Sequence, residues 1–267
     1  MSEPAVMTSA QALIHARRDA RALPAWPPAV PDAWAPHDLA SAYALQRHVA
    51  HGTGAVRGWK VSALTALQQQ ALHVACPIAA PLLDPWVQFG DAARFRLARF
   101  IQPRLECEFA FELANDLPER SAPYARAEVL AAIAHLRIGV EITDSRLPPR
   151  AGVWAELADA FNNGAYVVGA ACAAWQALDF AHHAIVLTAE TSGIRHELAR
   201  GDGRPVLDGD PLGAVLALAN AQPAGYGGLR SGQVVTTGTC TGAVAIPGPG
   251  RVLADFGALG RIELSFE

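Results

Sequence analysis

Glu106 and Glu108 in RLECEFAF, and Glu141 in GVEITDSR, are the residues of this chain whose types and spacing most directly suggest chemistry. The stretch around the first pair alternates as a strand does. At a period of two, Glu106 and Glu108 share one face while Leu105, Cys107 and Phe109 share the other. Two carboxylates side by side on a face followed by Phe109, Ala110 and Phe111 repel each other unless something neutralises them. A divalent cation with oxygen ligands does so best, and Mg²⁺ or Mn²⁺ suits carboxylate and water ligands. Glu141 closes a second apolar run, IAHLRIGVEI, and can supply a third carboxylate. Taken alone, Glu-x-Glu reads more readily as a solvated strand edge, so the elements around it must decide.

Those elements fall into two stretches, residues 1–55 and 56–267. In the first, residues 8–22 read as a helix with apolar Ala12, Leu13, Ala16 and Ala20. The segment LPAWPPAVPDAWAP follows as a proline-rich linker or wrapping loop. Asp38 is placed to cap a second helix, LASAYALQRHVAH, that stops near Gly52. The second stretch opens with VRGWKVSA as a strand and TALQQQALHV as a helix ending before Pro77. From about residue 97 short β-rich runs dominate, separated by Gly, Pro and Asp turns. Two helices interrupt them: AEVLAAIAHLRIGVEI, read as a helix running into a strand, and PLGAVLALANAQ. The expected fold class is α+β, a helical N-terminal region followed by a mixed, curled β-sheet catalytic domain.

Composition narrows the function classes. The 267 residues are 51% hydrophobic and can bury a large core. A net charge of −4 and the absence of a basic stripe argue against nucleic acid as a partner. With charged residues at only 17%, part of the surface is expected to be covered in a homo-oligomer, or in assembly with a homologous or pathway enzyme. Cys76, Cys107, Cys172 and Cys240 are widely spaced with no CxxC pair, which fits a reduced, cytoplasmic setting. The Arg-rich patch from His15 to Arg21 lacks the apolar core of a secretory signal and reads as an amphipathic helix. No apolar run approaches the ~18–20 residues of a membrane span.

Other motifs are negative. Neither G-x-x-x-x-G-K-[ST] nor G-x-S-x-G occurs, and Gly248-Pro249-Gly250 reads as a β-turn. His182-His183 has no partner at metal spacing, His135 sits in an apolar helical pattern, and His73 is a weak candidate beside the site.

Six blocks, in order, resemble the hydratase/decarboxylase branch of the fumarylacetoacetate hydrolase superfamily. They are GWK, QQQALHVACP, IQPRLECEFAFELANDLP, VEITDSR, LADAFNNGAYVVG and the C-terminal run from Ser231 to Phe266. The resemblance implies curled mixed sheets around a Mg²⁺ or Mn²⁺ held by Glu106, Glu108 and Glu141. It places Lys60 of GWK in the pocket, as a cation for the substrate carboxylate or a proton-transfer group. Without the resemblance, Lys60 beside Trp59 reads as a side chain snorkelling outward. The implied reaction is hydration of a 2-hydroxypenta-2,4-dienoate-type 2-oxo acid to a 4-hydroxy-2-oxo acid, with 4-oxalocrotonate-type decarboxylation as the alternative. Hydrolysis of an acylpyruvate C–C bond needs a water-activating dyad that the sequence does not display. An inactive paralogue serving as a partner subunit is the non-enzyme alternative. Two departures bear on substrate binding. Ile78 stands where hydratases of the branch carry Asp, and Ala160, Asn162 and Asn163 follow the retained Asp159 in place of the family residues. Ile78, Asp159 and Asn162 are therefore expected to shape an altered substrate pocket.

Overall fold

The computed structural model describes residues 3–28, 34–191 and 193–267. Part of the expected proline-rich connection lies outside the described residues. Two helices come first, α1 (Glu3–Arg18) and α2 (Leu39–Thr53), followed by strand β1 (Val56–Ser62) and helix α3 (Ala66–Leu72). Next come β2 (Ile78–Leu83), β3 (Val87–Phe89), β4 (Ala92–Phe95), β5 (Arg104–Leu113), α4 (Arg126–Ala131) and β6 (Ile133–Thr143). The chain continues through α5 (Val153–Ala158), β7 (Asn163–Cys172), β8 (Ile185–Thr191), β9 (Ile194–Gly201) and α6 (Pro211–Asn220). It ends with β10 (Val234–Thr239), β11 (Val244–Ala245), β12 (Gly250–Asp255) and β13 (Arg261–Phe266).

The strands form two sheets. The larger runs β2-β1-β10-β5-β6-β7-β3, with β11 on one end of β5; the smaller runs β4-β13-β12-β8-β9. Pairing is mixed: β1 with β10, β3 with β7 and β4 with β13 are parallel, and the remaining pairs are antiparallel. Alternation along β5 and β6 sends Leu105, Cys107, Phe109, Ile138, Val140 and Ile142 to one face. There they meet Leu187, Val252, Ile262 and Leu264 of the smaller sheet in the main core. The opposite face is concave. Leu82 of β2, Val87 of β3, Tyr166 and Val168 of β7 and Val234 of β10 form one buried cluster, which requires the two ends of the larger sheet to approach each other. The architecture is α+β with mixed, curled sheets.

Local chemistry explains most boundaries. Asp38 caps α2 and exchanges hydrogen bonds with Ser41, and Thr65 does the same for α3 with Gln68. Helix α1 starts and ends earlier than the periodicity predicts, because the chain leaves helical geometry at Ala20, whose φ is 50°. The buried stripe of α1, Val6, Ala10 and Leu13, packs on Leu45 and Val49 of α2 and on Ala155 and Ala158 of α5. One correction concerns element type. His135 lies on strand β6 opposite Glu112 rather than in a helix, because α4 ends at Ala131. Residues 78–83 form a strand with Pro81, tolerated because β2 is at the end of the sheet. None of the helices among the described residues is long and apolar enough to cross a membrane.

Candidate active site

The concave face of the larger sheet gathers the three glutamates. Glu106 and Glu108 alternate along β5, and register places Glu106 opposite Glu141 and Glu108 opposite Gly139 on β6. Carboxylate oxygens of Glu106, Glu108 and Glu141 lie within 4.8 Å of one another. Glu108 and Glu141 are buried, at 2% and 0% exposure.

Lys60 reaches them from β1. Three strand spacings separate β1 from β6, about 14 Å along a flat sheet, well beyond a four-carbon stem. Curling closes that gap: Lys60 Nζ donates to Glu141 Oε1 at 2.7 Å and to the Phe161 carbonyl at 3.0 Å. Asn163 Nδ2 donates to the same Glu141 oxygen at 2.9 Å.

The electrostatics of the group are unbalanced. Burial, then the charge of Glu141, pushes Glu106 up to about 7. Burial, then Glu141 and Glu106, holds Glu108 well above the carboxylate range. Lys60 is penalised by burial, but the three glutamates outweigh that and raise its pKa. With all three carboxylates ionised, one ammonium leaves a formal charge of −2, which is why two of them hold protons in the absence of a further cation. Glu108 Oε2 and Glu141 Oε2 are buried with no hydrogen-bond partner among the described residues. A divalent cation would supply both the missing charge and the missing partners, so the donor set fits a hard metal ion with oxygen ligands.

Above the carboxylates lies a cavity of about 380 Å³. Thr237, Gly238 and Thr239 of β10 form one rim, Leu64 and Gln68 another, and Pro205, Val206 and Leu207 a third. Phe161 and Asn162 complete it from a tight turn. Ala160, Phe161 and Asn162 all have left-handed φ, 54°, 47° and 61°. Each costs roughly 1–2 kcal/mol without glycine, so surrounding contacts must hold the turn. Asp144 N donates to the Asn162 carbonyl at 2.7 Å. Arg146 pairs with the Asp159 carboxylate at 2.9 Å and donates to the Asp159 carbonyl. Arg17 of α1 donates to the Asn163 carbonyl at 2.5 Å. Burial, helped by Arg146, lowers the Arg17 pKa to about 9, which leaves the guanidinium charged at neutral pH.

Of the residues predicted from sequence, Glu106, Glu108, Glu141, Lys60 and Asn162 line this one cavity. Ile78 and Asp159 do not, and their expected placement is corrected. Ile78 packs with Ala42, Tyr43, Ala63, Val74 and Leu157 in an apolar cluster that Phe161 borders. Asp159 is fully buried in its ion pair with Arg146 and acts behind the turn. His73 ends α3 in left-handed geometry, also outside the lining. Sequence reasoning missed Arg17, the Asn163 contact to Glu141 and the loop from Pro205 to Leu207. Only Asn162-Asn163-Gly164 carried a signal, since Asn and Gly tolerate left-handed turns.

No protein-family model matches the chain. Among curated proteins, it is 28% identical over 235 residues to a 2-keto-4-pentenoate hydratase of Paraburkholderia phymatum, covering 86% of each. A 2-keto-4-pentenoate hydratase of Burkholderia vietnamiensis matches with the same identity and coverage. Among solved structures, 4-oxalocrotonate decarboxylase from Pseudomonas putida G7, complexed with calcium and acetate, superposes with a TM-score of 0.83. That alignment covers 100% of this chain and 99% of the other at 21% identity, a likeness of fold. The likeness to these hydratases agrees with the resemblance to the hydratase/decarboxylase branch of the fumarylacetoacetate hydrolase superfamily. Glu106, Glu108, Glu141 and Lys60 lie in the blocks through which the sequence resembles that branch.

Proposed function

We propose that the protein is a metal-dependent hydro-lyase that adds water to a 2-hydroxypenta-2,4-dienoate-type acid, giving a 4-hydroxy-2-oxo acid. The observation that carries the reading is the convergence of Glu106, Glu108, Glu141 and Lys60 on one cavity. Similarity to proteins named as 2-keto-4-pentenoate hydratases supports it. Glu106, Glu108 and Glu141 would hold Mg²⁺ or Mn²⁺, which when bound supplies Lewis-acid stabilisation of charge on the 2-oxo oxygen.

The chain's own groups do the rest. Lys60 is the sole cationic side chain lining the cavity among the described residues. It orients the substrate carboxylate and holds a proton within reach of the reacting carbons. Glu141 and the Phe161 carbonyl fix its ammonium in place. A proton gained at C5 and the one lost from the 2-hydroxyl convert the dienol to an α,β-unsaturated ketone, and water then adds across C3=C4, its oxygen to C4 and a proton to C3. Asn162 Oδ1, buried at the cavity wall without a partner among the described residues, would accept from the attacking water. Leu64, Phe161, Val206 and Leu207 present apolar surface to the carbon chain and limit the entry of bulk water. One cation in the lining matches one substrate carboxylate, which favours hydration of a monocarboxylate over decarboxylation of a dicarboxylate.

The test is product identification with Mg²⁺ or Mn²⁺, using 2-hydroxypenta-2,4-dienoate and 4-oxalocrotonate in parallel. Formation of 4-hydroxy-2-oxopentanoate is the expected result. Release of CO₂ from 4-oxalocrotonate without hydration of the dienoate would assign the decarboxylase reaction instead.

A further inference from the structure

Tyr166 lies on β7 opposite Glu141, on the carboxylate-bearing face of the sheet. Its ring packs with Leu82, Val87, Val168 and Val234 beneath the cavity and is fully buried. Its hydroxyl sits over Gly139: a Cβ at that position would stand 2.0 Å from the phenol oxygen and 2.5 Å from Cζ. Gly139 in turn faces Glu108 across the β5–β6 ladder and precedes Glu141 by two residues on the same face. The phenol thus fills the notch left by a missing side chain, at the ladder position opposite Glu108 and one same-face step from Glu141.

The polar atoms there do not pair. The Tyr166 hydroxyl, Glu108 Oε2 and Glu141 Oε2 are each buried without a hydrogen-bond partner among the described residues. A buried donor left unpaired is destabilising, and an apolar ring would fill the same notch without that penalty. Burial, followed by the charges of Glu108 and Glu141, holds the phenol protonated far above neutral pH. The hydroxyl is therefore a standing donor, beside carboxyl oxygens that become acceptors when a cation displaces their protons.

We propose that Tyr166, admitted by Gly139, is a positioning residue of the metal centre, its hydroxyl donating to the free oxygen of Glu108 once a divalent cation draws the carboxylates together. The inference rests on the metal reading above and adds a residue beneath the ligands to it. Hydrogen-bonded support of this kind orients a ligating carboxylate and sustains its affinity for the ion.

The experiment uses the full chain stripped with EDTA, Mn²⁺ titration by calorimetry, and thermal unfolding with and without Mn²⁺. Tyr166→Phe keeps the ring and removes only the donor. It is expected to weaken Mn²⁺ binding about 10-fold or more while leaving the metal-free Tm equal to or above that of the unaltered protein. The opposed signs separate positioning from packing. Unchanged Mn²⁺ affinity in Tyr166→Phe overturns the proposal, as does a metal-free Tm that falls together with affinity. If the unaltered chain binds no Mn²⁺, the metal reading itself fails and this inference fails with it.

Discussion

At the scale of single residues, the site is organised by charge. Lys60 is the cavity's counter-charge, and its contacts with Glu141 and the Phe161 carbonyl define its orientation. Lys60→Ala is expected to cut turnover by at least ~10²-fold while changing Mn²⁺ affinity far less, since three carboxylates remain to ligate. Steady-state kinetics beside a metal titration checks the split; near-normal turnover would remove Lys60 from the mechanism. Ile78 leads to a different expectation. Its side chain is 1% exposed among apolar neighbours, so an acid there meets no water and no substrate. Ile78→Asp should destabilise the fold by about 3 kcal/mol or more, read as a lower denaturation midpoint. Increased hydration of the five-carbon dienoate in that variant would contradict the placement.

At the scale of elements, the strained turn from Ala160 to Asn162 is the part of the site most dependent on its supports. Its left-handed residues are held by β1 through Lys60, by the segment after β6 through Asp144 and Arg146, and by α1 through Arg17 near the start of β7. Arg146 and Asp159 are buried as a pair, with side chains 2% and 0% exposed. Removing one partner strands the other charge. Arg146→Met should cost about 3–5 kcal/mol of stability, measured by chemical denaturation. It should also depress turnover although Arg146 does not line the cavity. Retained stability would show that the pair is not what secures the turn. The first helix therefore belongs to the site's support as well as to the N-terminal stretch. Its contribution comes through one buried guanidinium, which an amphipathic pattern reading treats as surface.

At the scale of the whole molecule, stability and metal binding are linked through pH. Glu106 has a folded-state pKa of about 7, above its ordinary value of 4.5. The metal-free fold therefore holds a proton there that the unfolded chain has released. The associated stability is present below about pH 4.5 and is lost as pH rises through 7. A divalent cation competes with that proton, so its stabilising effect should grow over the same window. Thermal unfolding with and without Mn²⁺ at pH 6 and pH 8 is expected to show the larger metal-induced rise in Tm at pH 8. An equal rise at both values would mean that Glu106 is not protonated in the metal-free site.

Several features were legible in the amino-acid sequence because they depend on local rules. Alternation put Glu106 and Glu108 on one face, capping residues set the starts of α2 and α3, and the ordered blocks pointed to the superfamily. The α+β class followed from the same periodicities. Other features were decided only when the sheet curled. A Lys60–Glu141 contact spans three strand spacings in a flat sheet, and no spacing along the chain reports how far a sheet rolls. Ile78 and Asp159 lie within or next to the resembling blocks, yet packing turned one into an apolar cluster and the other onto Arg146. Gly139 and Tyr166 read separately as an unremarkable glycine and a core aromatic. They become a notch and its occupant because strand register sets β7 beside β6, and register is fixed by which faces the whole fold must bury.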